Sequence, residues 1–293
     1  MKIQKALHLY KELEKKTPKC YNKEYAVFEK YDGWYGYIDI VDGEMTNIKS
    51  AADREIPSLV QFSKQINELA DVGNVSGRLI FEILLESVPE FSILNGILNR
   101  SKGDCSAPDP YIMVHDFVPV GELKPLAGAF QNRYFELQVF VPKFNNPAVR
   151  RAPVLDYISD VDKAQQLAEY IWDAGGEGVI LKELLAHYQW GKRNCTLMKI
   201  KEEVTQDLLV VGMYKGAGKY AGTLGGLVVA NKAGITHRVA GMSDAERDKW
   251  WKTPEFIMGK VVEVKAMKEL PNGSLREPRF KCVRYNKNKG DID

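Results

Sequence analysis

The apolar pattern of this sequence changes near residue 203, and the change limits what the chain can fold into. Before that point, segments with helical spacing of apolar residues are interspersed with short strand-like runs. After it, several short β-like runs are separated by turn segments rich in glycine. The pattern predicts an α+β domain over residues 1–203 and a small β-barrel over residues 204–293. A five-stranded oligonucleotide-binding (OB) barrel is one candidate for the second domain.

The expected elements follow from periodicity. The spacing of apolar residues predicts helices over residues 3–16, 59–69 and 161–171, the last ending at Gly175-Gly176. Residues 25–45 alternate with period two, are broken at Asp32-Gly33 and Asp42-Gly43, and are predicted to form a hairpin. Strands are expected at 77–84, 111–118, 178–182, 196–200, 208–213, 224–230, 260–266 and 280–284.

Length and composition exclude several classes of protein. With 293 residues, 45% of them hydrophobic and 27% charged, the chain can bury a core and does not resemble a disordered or fibrous protein. No apolar run approaches the roughly 18 residues of a membrane span, and residues 1–16 do not resemble a signal peptide. The expectation is a cytoplasmic protein. The four cysteines lie far apart, which argues against zinc or disulfide frameworks.

Basic residues are concentrated in the last third of the chain. Residues 204–293 carry 16 Lys and Arg against 10 Asp and Glu, although the whole chain has a net charge of only +2. A polyanionic partner and an ordinary solvated face both account for this distribution.

A lysine stands at the end of a predicted strand, in the sequence Glu29-Lys30-Tyr31-Asp32-Gly33. A Lys-x-Asp-Gly pattern alone is weak, because an exposed lysine beside a turn gives the same pattern. Further chemistry-bearing segments follow in order along the chain. They are Glu82 after an apolar strand, Phe91–Arg100, His115-Asp116, Glu177–Lys182 and Met198–Lys201.

Taken together, these segments resemble the covalent nucleotidyltransferase superfamily, and specifically the compact ATP-dependent DNA ligases of bacteriophages and large viruses. The resemblance implies that Lys30 attacks the α-phosphorus of ATP to form a lysyl-AMP. A free lysine is mostly protonated at neutral pH, so it needs nearby cations or a divalent metal to act as a nucleophile. Mg²⁺, or Mn²⁺ in its place, is the implied metal, and Glu82 and Glu177 are its implied ligands.

The resemblance also implies which other residues bind the nucleotide. Besides the metal ligands they are Glu29, Tyr31, Asp32, Gly33, His115, Lys182, Lys192, Lys199 and Lys201. Lys199 and Lys201 lie two residues apart on a predicted strand and therefore face the same side, although a solvated strand end would show the same spacing. His115 stands where the family stacks an aromatic ring on adenine. A histidine buried in the core is an equally good interpretation of that residue.

The end of the chain resembles the ligase OB domain. Gly216, Gly218 and Gly222 match its glycine-rich first hairpin, and residues 274–284 resemble its last motif. Arg276 is the arginine that would orient pyrophosphate. The cations expected to bind the DNA backbone are Arg54, Arg100, Arg279, Lys281 and Arg284.

Three positions depart from the family pattern. Tyr35 and Ala51 stand where the family usually has arginines, and the acidic residue expected near Asn286 is absent. The first two departures leave open how the ribose and the 5′-phosphate are held. Arg54 is a candidate substitute, because a turn at residues 51–53 would bring its side chain back toward the same phosphate. A solvated loop arginine is the other interpretation of this residue.

The resemblance thus implies a monomeric enzyme that binds ATP and nicked duplex DNA and seals 5′-phosphate/3′-hydroxyl nicks. Its steps are adenylylation of Lys30, transfer of AMP to the 5′-phosphate, and displacement of AMP by the 3′-hydroxyl. Two alternatives remain open at this point. One is an RNA ligase or an mRNA-capping guanylyltransferase of the same superfamily, and the other is a non-catalytic DNA-binding relative.

Overall fold

A computed structural model describes residues 2–88, 91–102, 106–119, 128–270 and 272–293. The chain divides into two compact units, Met1–Lys201 and Glu202–Asp293. Of the four cysteines, Cys105 lies outside the described residues, and Cys20, Cys195 and Cys282 are free thiols. Among the described helices, none has the length and apolar composition that a membrane span requires.

The first unit contains eleven described strands and five described α-helices. The strands are β1 (Leu7–His8), β2 (Tyr25–Glu29), β3 (Trp34–Val41), β4 (Glu44–Met45), β5 (Lys49–Ser50), β6 (Gly77–Leu85), β7 (Pro110–Pro119), β8 (Val149–Arg151), β9 (Val154–Ile158), β10 (Gly178–Glu183) and β11 (Leu197–Lys201). The helices are α1 (Leu9–Leu13), α2 (Val60–Leu69), α3 (Phe91–Leu98), α4 (Phe130–Phe140) and α5 (Val161–Asp173).

These strands form two sheets. The first has the order β1-β11-β10-β2-β9, and α5 packs on it through Val161, Ala164 and Ala168. The second has the order β4-β3-β6-β7-β8, with β5 also paired to β3. A large core that includes Phe28 and Phe81 is shared by residues of both sheets and of helices α2, α3 and α4. The fold is α+β, as the sequence predicted.

The turn at Asp32-Gly33 carries the chain from one sheet to the other. β2 pairs with β9 and β10, whereas β3 pairs with β4, β5 and β6, so the two strands are not hairpin partners. The predicted hairpin over residues 25–45 is therefore wrong at this turn and correct at Asp42-Gly43, where both residues have positive φ, as a type I′ turn requires. Lys30 consequently lies where the two sheets meet.

The predicted first helix over residues 3–16 is wrong over most of its length. Only Leu9–Leu13 is helical, because Leu7 and His8 pair in parallel with Met198 and Lys199 of β11. The apolar spacing suited a helix, but a strand partner almost two hundred residues away in sequence determines the conformation of this segment.

The second unit is built on a five-stranded sheet of order β14-β13-β12-β15-β18. Its described strands are β12 (Val204–Lys215), β13 (Leu224–Ala230), β14 (Thr236–Val239), β15 (Val261–Ala266), β16 (Lys268–Glu269), β17 (Leu275–Arg276) and β18 (Arg279–Val283). β16 and β17 form a separate pair. The strands predicted in this part of the chain are all present, and the glycine-rich segment is the β12–β13 hairpin connection, as predicted.

A helix that the sequence analysis missed, α6 (Asp244–Lys252), holds that hairpin connection. Its buried Arg247 donates to the carbonyl oxygens of Leu224 and Gly225 at 2.5 and 2.6 Å and lies 4.1 Å from the ring centre of Tyr220. Two exposed contacts, from Lys219 to Asp244 and from Thr223 to Asp248, add to this attachment. The helix begins with a capping box formed by Ser243 and Glu246.

Candidate active site

Lys30 follows β2 directly and is held by both its backbone and its side chain. Its N–H donates to the carbonyl oxygen of Gly178 at 2.8 Å, and its Nζ donates to Oε2 of Glu177 at 2.5 Å. The side chains of Lys30 and Glu177 are 16% and 10% exposed, so the pair is largely shielded from water. A shielded ion pair has a defined geometry, and it places the amine at a fixed point.

Gly33 allows the turn after Lys30 to pack closely against β6. A Cβ atom at this position would lie 2.7 Å from the carbonyl oxygen of Ile83 and 3.3 Å from the Cβ of Glu82. Any larger residue would push the turn away from β6. The glycine therefore brings Glu82 close to the segment that carries Lys30.

A cavity of about 280 Å³ lies beside Lys30 in the first unit. Eight of the residues predicted to bind nucleotide line it, namely Glu29, Lys30, Tyr31, Gly33, Glu82, His115, Lys182 and Lys199. Its apolar lining includes Phe28, Ile180 and Leu197. A concave site with an apolar wall and a few convergent charges is typical of a small-molecule site.

Other predicted residues do not line this cavity. Asp32 and Glu177 are set back from it, although the charges of both act on Glu82. Lys201 acts on the neighbouring Lys199 through its charge. Lys192 is exposed, and the adjacent Arg193 lines the cavity in its place.

Glu82 is the most perturbed carboxyl group at the cavity. Burial raises its pKa to about 8, the Lys30 cation opposes that shift, and the Glu177 carboxylate adds to it. No described residue hydrogen-bonds to its Oε2 atom, which is buried. A buried oxygen without a partner fits a site for a bound cation or a hydroxyl group.

The pKa of Lys199 is shifted downward, in the opposite direction to that of Glu82. Burial lowers the pKa of Lys199 to about 8, and the nearby cations of Lys30 and Lys201 lower it further. Lys199 and Lys30 thus concentrate positive charge in the cavity wall. Such a cluster is favourable when an anion, such as a phosphate group, lies between the cations.

At another part of the cavity wall, His115 and Tyr35 form a stacked pair. Their ring centres are 5.5 Å apart and their planes differ by 15°. Lys182 lies against His115, with its Nζ 3.0 Å from Nδ1 and 2.9 Å from the carbonyl oxygen. The structure thus places Tyr35, which replaces a family arginine, in the same wall as His115.

Sequence reasoning missed several residues that line the cavity. Lys5 and Ala6 reach it because β1 pairs with β11, and no local pattern marks them. Arg193 is adjacent in sequence to Lys192, which was predicted to bind nucleotide. The pair of basic residues could therefore have indicated Arg193 as well. Ala152 also lines the cavity and had no signal in the sequence.

The predicted DNA-binding cations lie on the surface or in ion pairs. Arg54 and Arg100 are exposed residues of the first unit. In the second unit Arg279 pairs with Glu277 at 3.2 Å, while Lys281 and Arg284 share Glu263 at 2.7 and 3.0 Å. Arg276 ends β17, and its carbonyl oxygen accepts from the N–H of Met267 at 2.9 Å.

The fold and the cavity define a nucleotidyltransferase core followed by an OB-like domain. Residues 7–201 match the family model described as "ATP dependent DNA ligase domain", and residues 215–284 match "DNA ligase OB-like domain". The chain belongs to the ATP-dependent DNA ligase family, which confirms the resemblance seen in the sequence.

Individual relatives agree with the family models. A "Probable DNA ligase" of Anaeromyxobacter sp. (strain K) is 28% identical over 173 residues, which are 50% of this chain and 34% of the relative. A "DNA ligase" of Natronomonas pharaonis is 29% identical over 163 residues, covering 47% of this chain and 30% of the relative. The matched regions thus span about a third of the length of these two relatives.

Solved structures share the fold. A structure from a study of Lig E DNA ligases, titled "DNA binding with a minimal scaffold", is 23% identical, with a TM-score of 0.71, and the match covers 97% of this chain and 99% of that one. The ATP-dependent DNA ligase of bacteriophage T7 in complex with ATP is 20% identical, with a TM-score of 0.53, covering 96% and 98%.

Proposed function

We propose that this protein is an ATP-dependent DNA ligase that seals 5′-phosphate/3′-hydroxyl nicks in duplex DNA. The observation that carries the proposal is the position of Lys30 in a chain of this family. Its Nζ lies 2.5 Å from Glu177, at a cavity that Glu82 and Lys199 also line. The two ligase family models match both units, so this chain has both the domain with the proposed catalytic lysine and the domain with the proposed DNA-binding cations.

In the first step the Nζ of Lys30 attacks the α-phosphorus of ATP. A phosphorus–nitrogen bond forms, the bond to the β-phosphate oxygen breaks, and pyrophosphate leaves with the bonding electron pair. Lys30 must give up two of its three ammonium protons in this step; Glu177, the carboxylate in contact with Nζ, accepts one and water takes the other. Lys199 and Lys201 neutralise charge on the phosphate, which lowers the barrier to attack on an anion.

Glu82 and Glu177 would hold Mg²⁺, or Mn²⁺ in its place. Among the described residues, no group of three or more His, Cys, Asp or Glu forms a metal site within the protein alone. Two carboxylates fit Mg²⁺ nevertheless, because this ion usually keeps several waters and takes further ligands from substrate phosphates. When bound, the ion would supply charge neutralisation at the triphosphate.

The two DNA steps use the adenylated enzyme. The 5′-phosphate oxygen at the nick takes AMP from Lys30, and the 3′-hydroxyl then displaces AMP to close the backbone. Arg54, Arg100, Arg279, Lys281 and Arg284 would contact the DNA backbone, and Arg276 would orient the pyrophosphate group of ATP. We assign residues 1–203 to the adenylation domain and residues 204–293 to the OB domain, acting as a monomer.

Self-labelling with nucleotide tests the first step. The purified protein is incubated with Mg²⁺ and either α-³²P-ATP or α-³²P-GTP and is then run on a denaturing gel. We expect label from ATP on the wild type and none on Lys30→Ala. Lys163→Ala is the matched control, because Lys163 is an exposed lysine on α5.

A nick-sealing assay tests the substrate. The same preparations are given duplexes with a single nick in a DNA strand or in an RNA strand. We expect sealing of the DNA nick. Label from GTP would identify a guanylyltransferase, sealing restricted to RNA would identify an RNA ligase, and no label from either nucleotide would identify a non-catalytic relative.

A further inference from the structure

A chain of buried charged and polar groups lies behind the His115 wall of the cavity, away from the proposed chemistry at Lys30. It runs from Arg133 on α4 through Asp116 on β7 to Lys182 on β10, and from there to His115. Arg133, Asp116 and Lys182 are 4%, 2% and 6% exposed. Charges at this depth are retained only when each is compensated by partners of good geometry.

Arg133 and Asp116 compensate each other in a two-pronged ion pair. Nε of Arg133 donates to Oδ1 of Asp116 at 2.8 Å, and Nη2 donates to Oδ2 at 3.1 Å. The remaining terminal nitrogen, Nη1, donates to the carbonyl oxygen of Gly128. The carboxylate of Asp116 is therefore fixed in orientation, with its Oδ2 atom 3.6 Å from the Nζ of Lys182.

Lys182 in turn determines which nitrogen of His115 carries the proton. Burial lowers the pKa of Lys182 to about 8, so at pH 7 most of it is an ammonium group, which has three donors and no acceptor. The Nδ1 atom that lies 3.0 Å from Nζ then accepts. Burial, followed by the charge of Lys182, holds the pKa of His115 well below its usual range, so the ring is neutral. A neutral ring that accepts at Nδ1 carries its proton on Nε2.

The position of the ring is fixed by the backbone and by Tyr35. Ile80 pairs with Asp116 and Phe81 pairs with Val114, which leaves His115 as the extra residue of a β-bulge between β6 and β7. Bulges near sites redirect one side chain out of the regular alternation. The redirected ring then stacks on Tyr35 at 5.5 Å.

The His115 wall and Lys30 line the same cavity. Lys182 is five residues along the strand segment from Glu177, which pairs with Lys30, so the backbone positions of Glu177 and Lys182 are about 16 Å apart. The cations of Lys30 and Lys199 suit phosphate groups, and the ring pair of His115 and Tyr35 suits a nucleobase.

We propose that Asp116 and Arg133 are positioning residues that hold Lys182 against His115, so that a neutral imidazole with its proton on Nε2, backed by Tyr35, forms the nucleobase wall. That a nucleotide occupies the cavity rests on the proposed function, whereas the state of the ring does not. The network acts on ATP binding rather than on the reaction at Lys30.

Nuclear magnetic resonance of the ¹⁵N-labelled full chain, without nucleotide, tests the state of the ring. The chain has four histidines, so His115→Phe identifies the signals of His115 by their loss. At pH 7 we expect neutral His115 with a protonated Nε2. Asp116→Asn is expected to give a mixture of the two His115 tautomers. Arg133→Lys keeps the charge but not the two-pronged geometry, so we expect a mixture with a larger share of the Nε2-protonated tautomer than in Asp116→Asn.

Single-turnover kinetics of self-adenylylation test the consequence, where KM is the ATP concentration that gives half the maximal rate and kcat is the maximal rate constant. Asp116→Asn should raise KM for ATP about tenfold and leave kcat within about twofold, since the lost contact is at the base and not at the phosphorus. Arg150→Met is the matched control, because its ion pair with Glu86 is 40% and 49% exposed. The double variant Asp116→Asn/Arg133→Met removes both charges together and keeps the test open if the single variant does not fold.

The proposal is overturned if wild-type His115 carries its proton on Nδ1, or if both network variants leave its signals and KM for ATP unchanged. A fall in kcat with unchanged KM would also overturn it. Failure of the wild type to react with ATP would count against the proposed function instead, and the spectrum would still decide the state of the ring.

Discussion

The backbone N–H of Ala51 donates to the carbonyl oxygen of Tyr35 at 3.0 Å. The two positions at which the family usually has arginines are therefore neighbours, and both belong to a cluster of apolar and aromatic residues that includes Tyr188 and Trp190. Neither Tyr35 nor Ala51 carries a charge, so under the proposed function a cation for the ribose and the 5′-phosphate has to come from another residue.

Arg54 is the candidate that stands nearest in sequence. The N–H of Asp53 donates to the carbonyl oxygen of Ser50 at 2.9 Å. The N–H of Ser50 donates to the carbonyl oxygen of Arg54. The predicted turn at residues 51–53 is thus present, with Asp53 at positive φ. This turn returns the chain, so Arg54 stays close to the position of Ala51.

Replacing Arg54 by alanine should slow nick sealing about tenfold or more, because one charge-assisted contact to the 5′-phosphate is lost. Adenylylated DNA should accumulate, while labelling of the enzyme by ATP changes little. Gel analysis of a 5′-labelled nicked duplex over time measures both quantities. Wild-type sealing kinetics would show that Arg54 is only a solvated loop residue.

Arg276→Ala should reduce labelling of the enzyme by ATP at least about tenfold, because the group that orients pyrophosphate is lost. Sealing of a nick that already carries AMP should be largely preserved, since that step releases no pyrophosphate. Arg238→Ala, an exposed arginine on β14, is the control. Equal losses in the two assays would point to a role in holding DNA.

Glu82 makes stability depend on pH in the absence of metal. Its folded pKa of about 8 exceeds its usual value of 4.5, so the stability it contributes is fully present below pH 4.5 and is lost as pH rises through 8. Glu82→Gln should remove this decline, which is on the order of 4 kcal/mol in the free energy of unfolding between pH 5 and pH 8.5. Urea unfolding in EDTA from pH 5 to pH 8.5 measures it, with Glu136→Gln, an exposed residue on α4, as the control. Parallel pH profiles for the wild type and Glu82→Gln would contradict the expected proton uptake.

Arg247→Ala should destabilise the second unit by about 2–4 kcal/mol, because two carbonyl oxygens of the β12–β13 hairpin lose a charged donor. Hydrogen exchange should accelerate first at amides 215–224. The exposed Lys252→Ala on the same helix should change stability by less than about 0.5 kcal/mol. Unchanged exchange in the hairpin would mean that α6 does not hold it.

Glu263 neutralises two cations that we assign to DNA. Hydrogen bonds from Lys281, Cys282 and Arg284 hold the pKa of its carboxyl group below its usual range, although burial opposes them, so it is charged at neutral pH. Glu263→Gln should tighten binding to nicked duplex DNA and steepen its salt dependence by up to about one unit of slope. Fluorescence anisotropy at several salt concentrations measures this. Unchanged affinity for DNA would indicate that Lys281 and Arg284 do not contact the DNA backbone.

Local patterns in the sequence were sufficient for most strands and for the turn beside Lys30. Alternation of apolar residues and the Asp-Gly turns are properties of adjacent residues, so the prediction does not depend on which distant elements pack against them. Helix α6 also had a local signal, the capping box of Ser243 and Glu246, which the sequence analysis did not use. The barrel strands were predictable for the same reason, since each is short and bounded by turn residues.

Long-range pairing determined what the sequence did not predict. Lys5 enters the cavity wall only because β1 lies beside β11, and Arg133 meets Asp116 only because α4 packs on β7. Neither contact can be predicted from the spacing of residues nearby in the sequence. A buried arginine on a helix also reads as a surface residue in any pattern based on hydrophobicity.

The strand order β1-β11-β10-β2-β9 has a consequence for synthesis of the protein on the ribosome. β1 and β2 emerge early, but β10 and β11, which lie between them in the sheet, end at Glu183 and Lys201. β2 must therefore wait about 150 residues for β10, and β1 about 190 residues for β11, which takes on the order of ten to forty seconds at about 5–20 residues per second. Lys30 acquires its Glu177 partner only after most of the first unit has been synthesised.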